Sequence, residues 1–222
     1  MELWLETVLL LAAAVALHST RLSWPLRWAE TFYHEASHGL VTLLTGGRVV
    51  KLELHWRGGG ACTTQGGSRF LTLLAGYMGA SLWGAVLFLI GANLGEAGVR
   101  WWLGAELALL GFALLFWAKN VVTMIILLLI GAVYAAAWYL PPEFGLAYVL
   151  QGLGLFIMLN ALGAPFHLLD GQHVGDGAAL QDLTVIVPEG VWVAWWVVFA
   201  LACLLGCLAW RLNLLPLLAG AF

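Results

Sequence analysis

Long apolar runs alternate with short polar interruptions along this chain, and the interruptions carry the residues that end helices. Leu3 to Leu17 is almost wholly apolar and predicts a first helix over about 3–20. A second is predicted over about 25–45, flanked by Arg21 and Arg27 and stopped at Gly46-Gly47. Five more follow over about 69–93, 101–118, 121–140, 144–164 and 190–212. Only Lys119-Asn120 separates the fourth from the fifth, and Pro141-Pro142 ends the fifth. A bilayer core requires about 20 apolar residues of a spanning helix, which these runs supply. The expectation is an all-α polytopic membrane protein with about seven transmembrane helices, forming one domain over 1–222. The early charges are Glu2 and Glu6 and no small-x-small site follows, so the first run reads as a retained helix rather than a signal peptide.

One stretch departs from the helical period. From Val50 to Leu54 apolar and charged residues alternate, which is the period of a strand. Arg57-Gly58-Gly59-Gly60 reads as a turn and Ala61-Cys62-Thr63-Thr64 as a return strand. A short β-hairpin over about 48–64 is therefore expected between the second and third helices. In the third helix Gly76, Ala80 and Gly84 recur every four residues. Such a stripe of small residues lets two helix backbones approach closely, and the second helix is its expected partner.

Composition agrees with the pattern. Of 222 residues 63% are hydrophobic and 9% charged, a balance that excludes an ordinary soluble domain. The formal net charge of −3 offers no basic surface for nucleic acid. Cys62, Cys203 and Cys207 make no disulfide framework, and the last two read as packing residues of a late helix. Trp24 and Trp28, Trp101 and Trp102, and Trp192, Trp195 and Trp196 lie near the ends of apolar runs, as in interfacial belts. With the amino terminus on the cytoplasmic side, that side carries Arg48, Lys51, Arg57, Arg69 and Lys119; the other carries Arg21, Arg27, Arg100 and Arg211. The positive-inside rule favours that orientation.

The polar residues inside the apolar runs are few, and they form two islands. The first is His34-Glu35-Ala36-Ser37-His38 in the second helix. Residues i and i+4 share a helix face, so both imidazoles can reach one metal ion, with Glu35 beside them as a general base. Ionisable groups are expensive within a membrane span and mark a functional site. Two histidines leave a catalytic zinc one protein ligand short. The second island, from Asn160 to Gly177, contains Asp170 and Asp176. Asp170 follows the sixth helix most closely and is flanked by Gly171, so it is the expected third ligand; Asp176 is the alternative. His55 and His173 read as interfacial or supporting residues. Glu106 reads either as a group supporting the site or as a residue reaching toward water. A metal carrier or a helix-binding protein needs ligands but no base beside them, so Glu35 favours an enzyme.

His-Glu-Ala-Ser-His on a transmembrane helix, then Gly-Gly-Arg and a hairpin, then Asn160 and Leu169-Asp170-Gly171-Gln172-His173-Val174, resembles the site-2 protease family of intramembrane zinc metalloproteases. That family's second motif is usually Asn-x-x-Pro-x-x-x-Leu-Asp-Gly. Here Pro165 is displaced and the Asn-to-Asp spacing is two residues longer. The resemblance implies a Zn²⁺ cofactor held by His34, His38 and Asp170, with Glu35 as the catalytic base. Asn160 would take the family's role of steadying the substrate or oxyanion. Gly175-Asp176-Gly177-Ala178 is similar to a Ser-Asp-Ala element of a divergent branch, which keeps Asp176 as the alternative. The implied activity is hydrolysis of peptide bonds in or next to the transmembrane segments of other membrane proteins. The implied setting is the lipid bilayer of a cell membrane, the plasma membrane of a prokaryote.

Overall fold

The computed structural model describes residues 3–18, 20, 23–139, 141 and 145–214. Arg21 and Pro142, read above as a flank and a helix stop, lie outside the described residues. Eight helices and one hairpin follow in the order α1 (Leu3–His18), α2 (Trp24–Leu44), β1 (Arg48–Leu54), β2 (Gly60–Gln65), α3 (Arg69–Asn93), α4 (Gly95–Phe112), α5 (Val121–Trp138), α6 (Leu146–Gly163), α7 (Asp176–Thr184) and α8 (Glu189–Arg211). A π turn, Ala113–Trp117, extends α4, and a 3₁₀ turn, Ala164–Leu169, extends α6.

Helices occupy all seven expected positions, but five of them are long and apolar enough to cross a membrane: α3, α4 with its π turn, α5, α6 with its 3₁₀ turn, and α8. α1 is apolar but has 16 residues. α2 has 21 residues, and its polar positions, including Arg27, Glu30, His34, Glu35 and His38, dilute its apolar character. Large apolar side chains such as Leu115, Leu128, Val133, Val198 and Leu205 lie exposed on the outer faces of these helices. In water such a surface is a liability; against lipid tails it is the expected finish. Trp24, Trp101 and Trp195 are exposed as a belt requires, but Trp196 is not: it is fully buried and donates its indole N–H to the Leu74 carbonyl at 3.1 Å.

α3 is the central helix. It packs on α2 on one side and runs antiparallel to α6 on the other, and its small residues serve both contacts. Gly76 faces the two histidines of α2. Gly84 faces α6, where a Cβ on it would lie 2.9 Å from the Gly154 carbonyl; a Cβ on Gly154 would lie 2.5 Å from the Gly84 carbonyl. Further along the same contact the Gln151 side-chain N–H donates to the Gly91 carbonyl at 3.1 Å, a polar tie between the two helices.

The hairpin forms where the strand period predicted it. β1 and β2 pair antiparallel with Leu52 opposite Cys62 and an irregularity between Val49 and Lys51. Leu52 and Leu54 are fully buried and point down onto the helices, while Lys51 and Glu53 point away and pair at 2.7 Å. That ion pair holds the Glu53 carboxyl below its ordinary value. The outer side of β1 is occupied: Leu52 forms a parallel bridge with Ala118, and the Leu54 N–H donates to Thr123 Oγ1 at 2.8 Å. β2 is the side left open.

The α3–α6 contact gives a test. Gly154→Val should lower apparent stability in detergent by about 1–3 kcal/mol, because the backbones must separate. Gly152→Ala, whose Cβ meets nothing within 4 Å, should leave the melting curve in place.

Candidate active site

His34 and His38 lie one turn apart on the buried face of α2, and their rings meet edge to face with centroids 4.7 Å apart. Their placement follows from local chemistry. The His38 Nδ1–H donates to the Thr72 carbonyl of α3 at 2.6 Å, which leaves the lone pair on Nε2. Thr42, one turn further, bonds Thr72 Oγ1 at 2.9 Å. α3 can come this close only because residue 76 has no side chain. A Cβ there would stand 2.5 Å from His38 Nε2 and 2.6 Å from His34 Nε2.

The third group is Asp176. Its Oδ2 lies 3.2 Å from His34 Nε2 and 3.2 Å from His38 Nε2, and the two nitrogens are 3.0 Å apart. Burial works against the charge on this carboxylate, but the two histidines beside it, when protonated, prevail and hold its pKa well below the usual range. Three electron-pair donors thus converge on one point, an arrangement that calls for a cation. Donors on a tetrahedral zinc with bonds of about 2.0–2.1 Å stand about 3.3 Å apart, so the triangle fits the ion with little adjustment.

The expectation for Asp170 is corrected here. Its side chain is exposed and accepts from the Gln172 backbone N–H at 2.8 Å, so it serves its own turn at the end of the 3₁₀ segment. Asp176 is brought in by an element the sequence reading missed. It is the first residue of α7, which packs on α3 and α8 and buries Ala178 and Leu180, the latter in a cluster with Trp196 and Val193. The approach is tight: Gly175 has φ +108°, and a Cβ on Gly177 would meet the Glu189 side chain at 2.9 Å. The sequence pattern assigned no element to residues 178–184, where apolar Ala178, Ala179, Leu180 and Leu183 carry only a faint helical period.

Glu35 is buried beneath β2. Its Cγ would lie 2.9 Å and its Oε1 3.0 Å from a Cβ at Gly60, and its carboxyl reaches the Cys62 backbone. Cys62 is not among the residues whose ligand atoms converge, and burial, with Glu35 and Asp176 nearby, pushes its thiol up to about 12. A cleft of about 800 Å³ opens over this group, lined by Glu30, His34, Glu35 and His38 of α2, the edge of β2, Tyr77 of α3, and Asp176. His55 is exposed in the hairpin turn. His173 lies 3.4 Å from both Asp182 and Glu189 and does not line the cleft. Glu106 is buried and accepts from the Tyr33 hydroxyl at 3.1 Å, so it supports the residue next to His34 rather than reaching for water.

The profile of one peptidase family, described as Peptidase M50B-like, matches residues 7–207. The chain belongs to this family. It is the site-2 protease family that the motifs resembled. No curated protein and no solved structure matches the chain. The members of the family are zinc proteases, and in this M50B-like peptidase His34, His38 and Asp176 are the group that could hold a metal ion among the described residues.

The close approach at residue 76 can be tested alone. Gly76→Ala should lower zinc affinity about 10–100-fold by displacing the rings, with helix content unchanged. Zinc titration and circular dichroism on one sample would read both.

Proposed function

We propose that this chain is an intramembrane zinc metalloprotease that hydrolyses peptide bonds in or next to the transmembrane segments of membrane protein substrates. The observation that carries this reading is the triangle of His34, His38 and Asp176 with a buried carboxyl, Glu35, in the same cleft. His34, His38 and Asp176 are the residues that would hold Zn²⁺. When bound, the ion supplies Lewis acidity toward the scissile carbonyl and the attacking water.

The chain's own groups supply the rest. Glu35 takes a proton from the attacking water and passes it to the leaving amine, as a carboxylate next to the histidine pair is placed to do. The buried position under β2 removes bulk water from that proton path. A transmembrane substrate is internally hydrogen-bonded and must unwind before attack. The open edge of β2 lines the cleft and offers the freed backbone groups an added strand, with β1 holding β2 from behind. In this reading seven helices span the bilayer, α1 and α2 included, and the whole chain is one catalytic domain in a prokaryotic cell membrane.

Three variants test it. Glu35→Gln should retain about one zinc per chain, because the residue is a base and not a ligand, and should lose cleavage by about 10²–10⁴-fold. Asp176→Asn should lose zinc and activity together, whereas Asp170→Asn should keep both. Metal analysis of purified protein and cleavage of a membrane substrate in detergent or vesicles measure these outcomes. Unchanged cleavage by Glu35→Gln would refute the role of Glu35, and full zinc retention by Asp176→Asn would refute the ligand set. A comparison of membrane-protein fragments in cells carrying wild-type or Glu35→Gln chain identifies the substrates.

A further inference from the structure

Peptide hydrolysis builds negative charge on the scissile carbonyl oxygen. A hydrogen-bond donor aimed at that oxygen is commonly a large contribution to rate. Asn160, the residue that the resemblance offered for this task, is buried on α6 with its Nδ2 unpaired, and it is absent from the lining of the cleft. Among the donors that do line the cleft, Thr72 Oγ1 is engaged with Thr42, and Arg69 and His167 are exposed side chains.

Tyr77 differs from these. It follows Gly76 on α3, and its ring packs edge-on against the His34 imidazole with centroids 4.5 Å apart at 81°. On its other side the ring lies against Trp196 at 4.7 Å. The phenol is thus held between a candidate metal ligand and a fully buried indole, with little freedom left to its two side-chain torsions. Tyr77 lines the cleft, and its hydroxyl has no hydrogen-bond partner among the described residues. Asp176, Glu30 and Glu35 lie within electrostatic range of it. A substrate oxygen beside His34 would give that hydroxyl an acceptor.

We propose that Tyr77 is a catalytic residue whose hydroxyl donates a hydrogen bond to the oxyanion developing on the scissile carbonyl. The phenol keeps its proton throughout, and no bond to it forms or breaks. This proposal rests on the peptidase reading above.

Tyr77→Phe is the test, because it keeps the ring between His34 and Trp196 and removes only the donor. In the full chain it should retain about one zinc, keep KM within about twofold and lower kcat about 10²–10³-fold, the usual effect of losing one oxyanion donor. Binding gives a second readout. A phosphinic pseudopeptide, which carries tetrahedral oxygens, should bind Tyr77→Phe at least about tenfold more weakly than wild type. The same peptide with a methylene-amine isostere, which lacks the oxygen, should bind both alike. The proposal is overturned if kcat and phosphinate affinity stay within about threefold of wild type. It is equally overturned if zinc is lost with activity, or if Thr31→Val or His167→Gln costs more than Tyr77→Phe. Failure of the peptidase reading has a different signature: wild type would cleave no faster than Glu35→Gln, which overturns the Tyr77 role along with it.

Discussion

The structure depends on how closely α3 can pass α2. Two imidazoles that must leave their Nε2 atoms clear cannot also be walled in by side chains, yet they need a neighbour that fixes their rings. Gly76 solves both problems by presenting bare backbone to His34 and His38, while Thr72, one turn earlier, takes the His38 Nδ1–H on its carbonyl. In a medium without water a histidine has no other way to settle its tautomer than through such a bond. The same helix then uses Gly84 and Gly91 to meet α6 equally closely, so the small-residue stripe connects the first polar island to the helix that leads into the second.

Much of this was readable in the sequence, because the membrane imposes long periods and few polar exceptions. The seven helices, the hairpin and the His34-Glu35-His38 group all came from patterns contained within one element. The stripe at Gly76, Ala80 and Gly84 also announced close packing, though its division between two partners did not show. The third carboxylate was misread for a physical reason. Asp170 follows the apolar run directly, so it looked anchored, and Asp176 looked loose beyond two glycines. In the fold those glycines permit a sharp turn into α7, whose Leu180 locks against Trp196, and the anchored residue is the later one. Asp170 meanwhile satisfies a backbone N–H of its own turn. A nine-residue helix held by tertiary packing carries too weak a period to be seen against a Gly-rich background.

The polar cluster behind α2 belongs to the same logic. Glu106, Tyr33 and Tyr134 come from three helices and share their hydrogen bonds, with Tyr33 at 3.1 Å from Glu106 and 2.9 Å from Tyr134. Tyr33 also stacks on Trp83. Each group would be costly in lipid alone, but together they tie α4 and α5 to the residue that precedes His34. Sequence could place Glu106 inside a helix; it could not name the Tyr33 hydroxyl that bonds one of its buried oxygens.

The hairpin shows why α4 ends as it does. An ordinary α-helical end would not leave Ala118 extended beside Leu52. The π turn at Ala113–Trp117 inserts the extra residue, closes with the Ala118 N–H on the Ala113 carbonyl at 2.8 Å, and hands over an extended Ala118. Ala118 then occupies the outer edge of β1 at Leu52. That edge is spent on the protein itself, so the edge left for an incoming strand is β2, which lies directly over Glu35. Gly60 opens β2 where the Glu35 side chain rises beneath it, and any larger residue there would push the carboxyl aside. The position of Glu35, the free strand edge and the end of α4 are therefore one mechanical unit, built from a π turn, a bridge and a glycine.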